Sequence, residues 1–368
     1  MSKLKIINVV GARPNFMKIA PIVEEIRKYE GIEQFLLHTG QHYDHKMSDL
    51  FFNNLGLPKP DCYLGIGSGG HGTQTGKVMI EFEKVMLEEK PDIVLVVGDV
   101  NSTIACGLDA VKLGAKLVHV EAGLRSFDRT MPEEINRILT DQISDYLFLT
   151  EKSAFKNLEN EGIDTAKAHF VGNVMIDSLL KHRKKAAEQK ILQELELEPG
   201  NFALVTLHRP ANVDDRAVCT TLMQTLCTIS ESLPVVFPVH PRTRKQMGVF
   251  GLDSLIAKHS NMRLVEPLGY LDFLQCMDNS KFVLTDSGGI QEETTVLGVP
   301  CITARENTER PITAEVGTNI IVGRDSQKLL AEANKILAGK GKKGEVPELW
   351  DGRAAERIVK ILWENEGK

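Results

Sequence analysis

At 368 residues, with 42% hydrophobic and 26% charged residues, the chain is long enough for two globular domains. A formal net charge of −6 gives no basic excess for neutralising nucleic-acid phosphates. No apolar run is long enough to span a membrane, and the six cysteines are scattered without a CxxC pair, so a cytoplasmic protein without disulfides or zinc is expected.

The opening run, Leu4–Val10, reads as a first strand. Further strands are predicted over Gln34–His38, Ile93–Val97, Leu117–Val120, Tyr146–Leu149 and Ala168–Val171. A second set lies at Phe202–Thr206, Val235–Val239, Arg263–Val265, Phe282–Thr285, Cys301–Thr303 and Asn319–Val322. Helix-like segments lie between them, among them Ile22–Tyr29, Val78–Glu89, Glu133–Ile143, Ala217–Ser230 and Gln327–Ala338. This alternation implies parallel sheets covered by helices on both faces. It pauses over Gly172–Gly200, where a basic helix-like segment (Lys181–Lys190) and a Pro199-Gly200 turn stand. The expected domains are therefore 1–171 and 172–352, two Rossmann-like halves facing across a cleft. In such sheets ligands bind beyond the carboxyl ends of the strands.

The strand ends carry the chemistry. After the first strand, Gly11-Ala12-Arg13-Pro14 opens a helix, and Arg13 and Lys18 supply cations. GxGxxG is missing, so bound NAD is not supported. The glycine-dense run Gly65–Gly72 is no P-loop and reads as a mobile loop. Asp99 comes after the strand Ile93–Val97, where an N-cap role is the ordinary alternative. Glu121 comes after the buried run Leu117–Val120, a costly place for a carboxylate without a task or a partner. Glu133 and Glu134 open a helix, and capping accounts for one of them. Asp99, Glu121 and one of that pair could converge as a carboxylate cluster able to supply acid and base.

In the second half His208-Arg209 ends a strand, as His240 does more weakly. The most informative stretch is Thr285–Glu293, where two glycines and a hydroxyl lead from a strand into a helix. The unpaired N–H groups and dipole of such a helix start attract anions, and close approach needs glycine. Glu293, one turn in, suits a neutral diol such as a ribose. Together these features suggest a nucleoside diphosphate.

In sequence order, GARPNFMK (11–18), HTGQHYD (38–44), VVGDVNST (96–103), HVEAGLRS (119–126), MPEEINRILTDQ (131–142), HRP (208–210), PVHPR (238–242), DSGGIQEE (286–293) and TERP (308–311) resemble the non-hydrolysing UDP-N-acetylglucosamine 2-epimerases. The resemblance implies a GT-B-like α/β fold whose C-terminal helix, about 353–368, packs back on the first domain. It implies a homodimer and a UDP-sugar substrate, with neither NAD nor metal as cofactor. UDP would leave as the C2 proton is removed, giving 2-acetamidoglucal, and would re-add after the proton returns to the other face. By motif, Arg13, Lys18, His208, Ser287, Gly288 and Gly289 would hold the diphosphate, and Glu293 the ribose. Phe273 would lie near the uracil and Arg310 in or near the nucleotide pocket. Asp99, Glu121 and Glu133 would be the acid/base carboxylates. The chain departs from many relatives at Asn15, Pro210 and Ala211, and Gln41–Asp44 differs from the run that carries an activating site in bacterial members. The same chemistry on a UDP-2,3-diacetamido-2,3-dideoxy-glucuronic acid is a close alternative, and a GT-B glycosyltransferase a more distant one.

Overall fold

A computed structural model describes residues 3–41 and 56–367. Among the described residues thirteen strands form two sheets. The first contains β1 (Leu4–Val10), β2 (Ile32–His38), β3 (Cys62–Tyr63), β4 (Ile93–Val97), β5 (Lys116–Ala122), β6 (Tyr146–Leu149) and β7 (Ala168–Phe170). The second contains β8 (Ala203–Thr206), β9 (Val235–Pro238), β10 (Met262–Val265), β11 (Phe282–Thr285), β12 (Cys301–Thr303) and β13 (Asn319–Ile321). Every pairing is parallel, in the orders β3-β2-β1-β4-β5-β6-β7 and β10-β9-β8-β11-β12-β13. Helices alternate with the strands along the chain, so the central strands are buried on both faces and read as continuous apolar runs such as Ile93–Val97. In each sheet the strand order reverses once, between β1 and β4 and between β8 and β11. Those two switch points are where open α/β sheets take ligands.

The chain divides into two compact units, one of residues 1–181 with 348–368, the other of residues 182–347. The divide falls inside the helix Val174–Ala187. Within the first unit the late segment is tied down by specific contacts. The Asp177 carboxylate accepts the Ala354 and Ala355 N–H groups at 3.1 and 2.8 Å, capping the helix Ala354–Glu366 from outside. The Trp350 indole donates to the Thr150 carbonyl at 2.9 Å. At Gly172, φ is +90° and a β carbon would stand 2.0 Å from the Leu349 carbonyl oxygen, so only glycine fits there.

Several elements differ from the sequence reading. The first helix runs Arg13–Ile26, not from Ile22, with Pro21 in its interior. Pro21 cannot donate to the Met17 carbonyl; the Ser178 hydroxyl, far along the chain, donates to it instead. The helix predicted from Val78 begins at His71, so His71 and Gly72, the end of the expected loop, are helical. The segment after Gly172 forms helix from Val174, and β3 is a short edge strand without a sequence signal. His42, Tyr43 and Asp44 lie outside the described residues.

Candidate active site

In the first unit the turn after β1 is fixed by Asn15. Its side chain accepts the Gly11 and Ala12 N–H groups at 3.2 and 2.9 Å and donates to the Val97 carbonyl, at the end of β4, at 3.0 Å. One amide thus couples the two strands of the switch point. Arg13 starts the helix, and its side chain lies outside the described residues. Lys18, one turn further, is buried and donates to the buried Glu121 carboxylate.

Glu121 sits on an irregularity. The β5–β6 register shifts between Val120 and Ala122, and Glu121 has φ +71°. A non-glycine residue in that region costs about 1 kcal/mol or more, and such outliers gather at functional sites. The bulge carries the carboxylate to Lys18. Gly98 provides the room, for at φ +69° a β carbon there would stand 3.0 Å from Lys18 Nζ and 3.4 Å from Glu121 Oε2.

Asp99 comes directly after Gly98 and meets Arg137 from the helix Pro132–Ile143, with Nε and Nη2 at 3.0 and 2.8 Å from one carboxylate oxygen. Arg137 also donates to Glu134. Glu134 is buried and accepts the N–H groups of Ser126 and Phe127 at 2.9 and 2.8 Å, pinning the loop after β5. Glu133 lies half-buried in the same first turn. The sequence left open which acid of this pair is structural, and the backbone contacts assign that work to Glu134.

In the second unit the other switch point is organised by Asp286, which the sequence reading passed over. Asp286 is fully buried and accepts the backbone N–H groups of His208 and Arg209 at 3.0 and 2.9 Å and the Asn212 amide at 3.0 Å. His208 Nδ1 lies 3.1 Å from the same carboxylate, and its side chain is 38% exposed. Burial alone would push the Asp286 carboxyl up, but the His208 contact and these N–H donors hold it below the usual carboxylate range. With Nδ1 against Asp286, Nε2 is the ring nitrogen of His208 left for another partner. No local signal in the sequence marks Asp286: only the pairing of β8 with β11 brings the residues just past one strand to those just past the other.

Ser287 stands before the helix Gly288–Leu297, and its N–H donates to the Thr285 hydroxyl at 3.0 Å. At Gly288 a β carbon would lie 2.6 Å from both Arg310 Nη1 and Glu309 Oε1, so a side chain there would have to displace that buried ion pair. Gly289 lies within the first turn. Arg310 is buried between Glu292, at 2.7 Å, and Glu309, at 2.6 Å. Phe273 is half-buried on the helix Tyr270–Asp278. Glu293 is buried and accepts the Tyr270 hydroxyl at 3.1 Å.

Burial pushes the Glu293 carboxyl up to about 8, with Glu292 adding to the rise and the Tyr270 hydrogen bond opposing it. The unfolded chain loses this proton near 4.5, while the folded protein retains it to about 8. Stability therefore falls with rising pH across that window. Glu293→Gln should be increasingly stabilised over the parent, by about 1.4 kcal/mol per pH unit between pH 5 and 8. Denaturant unfolding at several pH values checks this, and a pH-independent difference would refute it.

Among the described residues no group of three or more His, Cys, Asp or Glu side chains could hold a metal ion, and no helix is long and apolar enough to cross a membrane.

Comparison with known proteins matches residues 24–363 to the family model of UDP-N-acetylglucosamine 2-epimerase. The chain belongs to the UDP-N-acetylglucosamine 2-epimerase family. It is 44% identical to the UDP-N-acetylglucosamine 2-epimerase of Methanocaldococcus jannaschii, over 98% of this chain and 99% of the relative. It is 41% identical to the UDP-2,3-diacetamido-2,3-dideoxy-D-glucuronate 2-epimerase of Pseudomonas aeruginosa, again over 98% and 99%. The crystal structure of the M. jannaschii enzyme in complex with UDP-GlcNAc and UDP superposes with a TM-score of 0.90, covering 98% of this chain and 99% of that one. The family places the chain among the isomerases, and the two parallel-sheet units are of the GT-B-like class that the sequence implied.

Proposed function

We propose that the protein interconverts UDP-GlcNAc and UDP-ManNAc by eliminating and re-adding UDP. The observation that carries this reading is the pair of carboxylates at the ends of adjacent strands β4 and β5, Asp99 and Glu121, each with a buried cation against it. Proton removal from C2 on one face and return on the other needs two groups, one acting as base and the other as acid. As the C2–H bond breaks, its electrons form the C1–C2 double bond and the C1–O pair leaves on UDP. In the return step UDP oxygen adds at C1 and C2 takes a proton on the opposite face. Asp99, Glu121 and Glu133 share the proton transfers. Lys18, beside Glu121, carries donors suited to departing phosphate oxygens or to that carboxylate.

The nucleotide belongs to the second unit. The N–H groups of Gly288 and Gly289, with the Ser287 hydroxyl and His208, receive the diphosphate. Glu293 takes the ribose hydroxyls, Phe273 lies against the uracil, and Arg310 keeps the helix start in place.

UDP-GlcNAc is favoured over a uronic acid substrate by the cations of the first unit. A C6 carboxylate would need a cation of its own, and among the described residues Lys18 already faces Glu121, and Arg137 already faces Asp99 and Glu134.

Proton NMR of the protein with UDP-GlcNAc in D2O tests the reading. UDP-ManNAc carrying deuterium at C2 is expected. No turnover of UDP-GlcNAc, with turnover of the diacetamido uronic acid, would move the assignment to that substrate. Free ManNAc as product would mark a hydrolysing enzyme instead.

A further inference from the structure

Beneath the two strand ends lies a polar group that touches none of the residues proposed to meet the substrate. His119, on β5, is fully buried, and each of its ring nitrogens faces an acceptor. Nε2 lies 2.8 Å from the carbonyl oxygen of Gly98, the residue before Asp99. Nδ1 lies 2.6 Å from Asp141 Oδ1. The other oxygen of Asp141 accepts the Gly123 N–H, two residues beyond Glu121, at 3.0 Å, and an Arg125 nitrogen at 2.7 Å. Asp141 too is fully buried. Burial alone would raise its carboxyl, but His119 and Arg125 together hold it low, so it serves as an acceptor throughout.

We infer that His119 is a positioning residue which, through the Gly98 carbonyl on one side and Asp141–Gly123 on the other, sets the spacing of Asp99 and Glu121. The ladder reinforces the placement on one side only, with the Gly98 N–H donating to the Val120 carbonyl at 3.0 Å. The paired β4–β5 register ends at Val97–Val120, so Asp99 and Glu121 both lie past the last registered pair of the two strands. The imidazole and its carboxylate connect the strand ends beyond that pair. A buried ionic group of this kind is an expensive way to fill a core, and an apolar cluster of equal volume commonly does as well for stability. Control of geometry is what it adds. Misplacement of reacting groups by about 1 Å can cost roughly 100-fold in rate.

The inference rests on Asp99 and Glu121 being the proton-transfer pair, and the test separates the two claims. His119→Phe removes both contacts, and His119→Gln retains a donor for the Gly98 carbonyl. Each is assayed with UDP-GlcNAc in D2O, recording kcat, KM, UDP affinity, and the ratio of C2 deuterium in recovered UDP-GlcNAc to UDP-ManNAc formed. His119→Phe should lower kcat by at least about 30-fold with KM and UDP affinity within about twofold, and change the deuterium ratio by at least about threefold. His119→Gln should be intermediate. A purely structural role would scale exchange and epimerisation together, so an unchanged ratio, or a kcat near the parent's, overturns the inference. Should the Phe variant not fold, Asp141→Asn is expected to shift the same ratio, since one amide cannot accept from His119, Gly123 and Arg125 together. If Asp99→Asn and Glu121→Gln themselves retain turnover, the carboxylate assignment fails and not merely the role of His119.

Discussion

Asp99→Asn, Glu121→Gln and Glu133→Gln should each lower kcat with UDP-GlcNAc by roughly 100-fold or more while UDP binding survives. The expectation comes from the group that each exchange removes. Asparagine at 99 keeps the shape that Arg137 packs against but cannot accept or release a carboxyl proton. Glutamine at 121 does the same opposite Lys18. UDP should still bind, since the nucleotide contacts are assigned to the second unit. Stopped assays report kcat, and titration calorimetry with UDP reports binding. Near-parental turnover in all three variants would remove the carboxylates from the chemistry. Loss of UDP binding in parallel with rate would make them structural instead. An unequal pattern is also informative. Glu133, like Asp99, is half-buried, so burial does not rank the two, and a smaller loss at Glu133 would mark it as supporting the other two.

Asp286→Ala is expected to have the second large effect, on stability as well as rate. Its carboxylate satisfies two backbone N–H groups, the Asn212 amide and His208 Nδ1, all against one fully buried oxygen pair. Removing it leaves these donors unpaired in a dry site, at a cost of about 3–5 kcal/mol. For a unit of this size that lowers the melting temperature by on the order of 10 °C. His208 also loses the acceptor that fixes its ring, so turnover should fall at least about tenfold even at temperatures where the variant is folded. Calorimetry and a steady-state assay well below the transition separate the two effects. A melting temperature within about 2 °C of the parent's would show that Asp286 is not the organising group.

Much of the fold was open to reading because parallel strands buried on both faces print themselves as short apolar runs. The strands β1, β4, β6 and β11 begin and end where the sequence placed them. The polar strand ends were legible too, since Asp99, Glu121, His208 and Ser287 each stand just past such a run. The features that escaped depend on distant partners. Pro21 reads as a helix breaker, and only the Ser178 hydroxyl explains why the helix passes through it. Glu121 looks like a residue beyond the strand, and the bulge that turns it towards Lys18 has no local signature. His119 is one polar residue within an apolar run, and its worth depends on Asp141 from a helix packed beneath. Asp286 reads as the start of a glycine turn, but its partners belong to a loop almost eighty residues earlier. Periodicity reports which way a side chain points, and it cannot report whom that side chain meets.

The split of the first unit into 1–181 and 348–368, with the second unit continuous between them, bears on how the protein is made. Chains emerge from the ribosome at about 5–20 residues per second, and domains tend to fold as they appear. Here the order is inverted. Once residue 347 has emerged, all of the second unit is available, whereas the first still lacks Trp350 for the Thr150 carbonyl and Ala354 and Ala355 for Asp177. The carboxylate-bearing half therefore waits, incomplete and with apolar surface open, for roughly half a minute or less at those rates while the half behind it is synthesised. Its exposure to aggregation and to chaperones should be greatest in that interval, and the docking of the segment at Gly172 is the event that closes it.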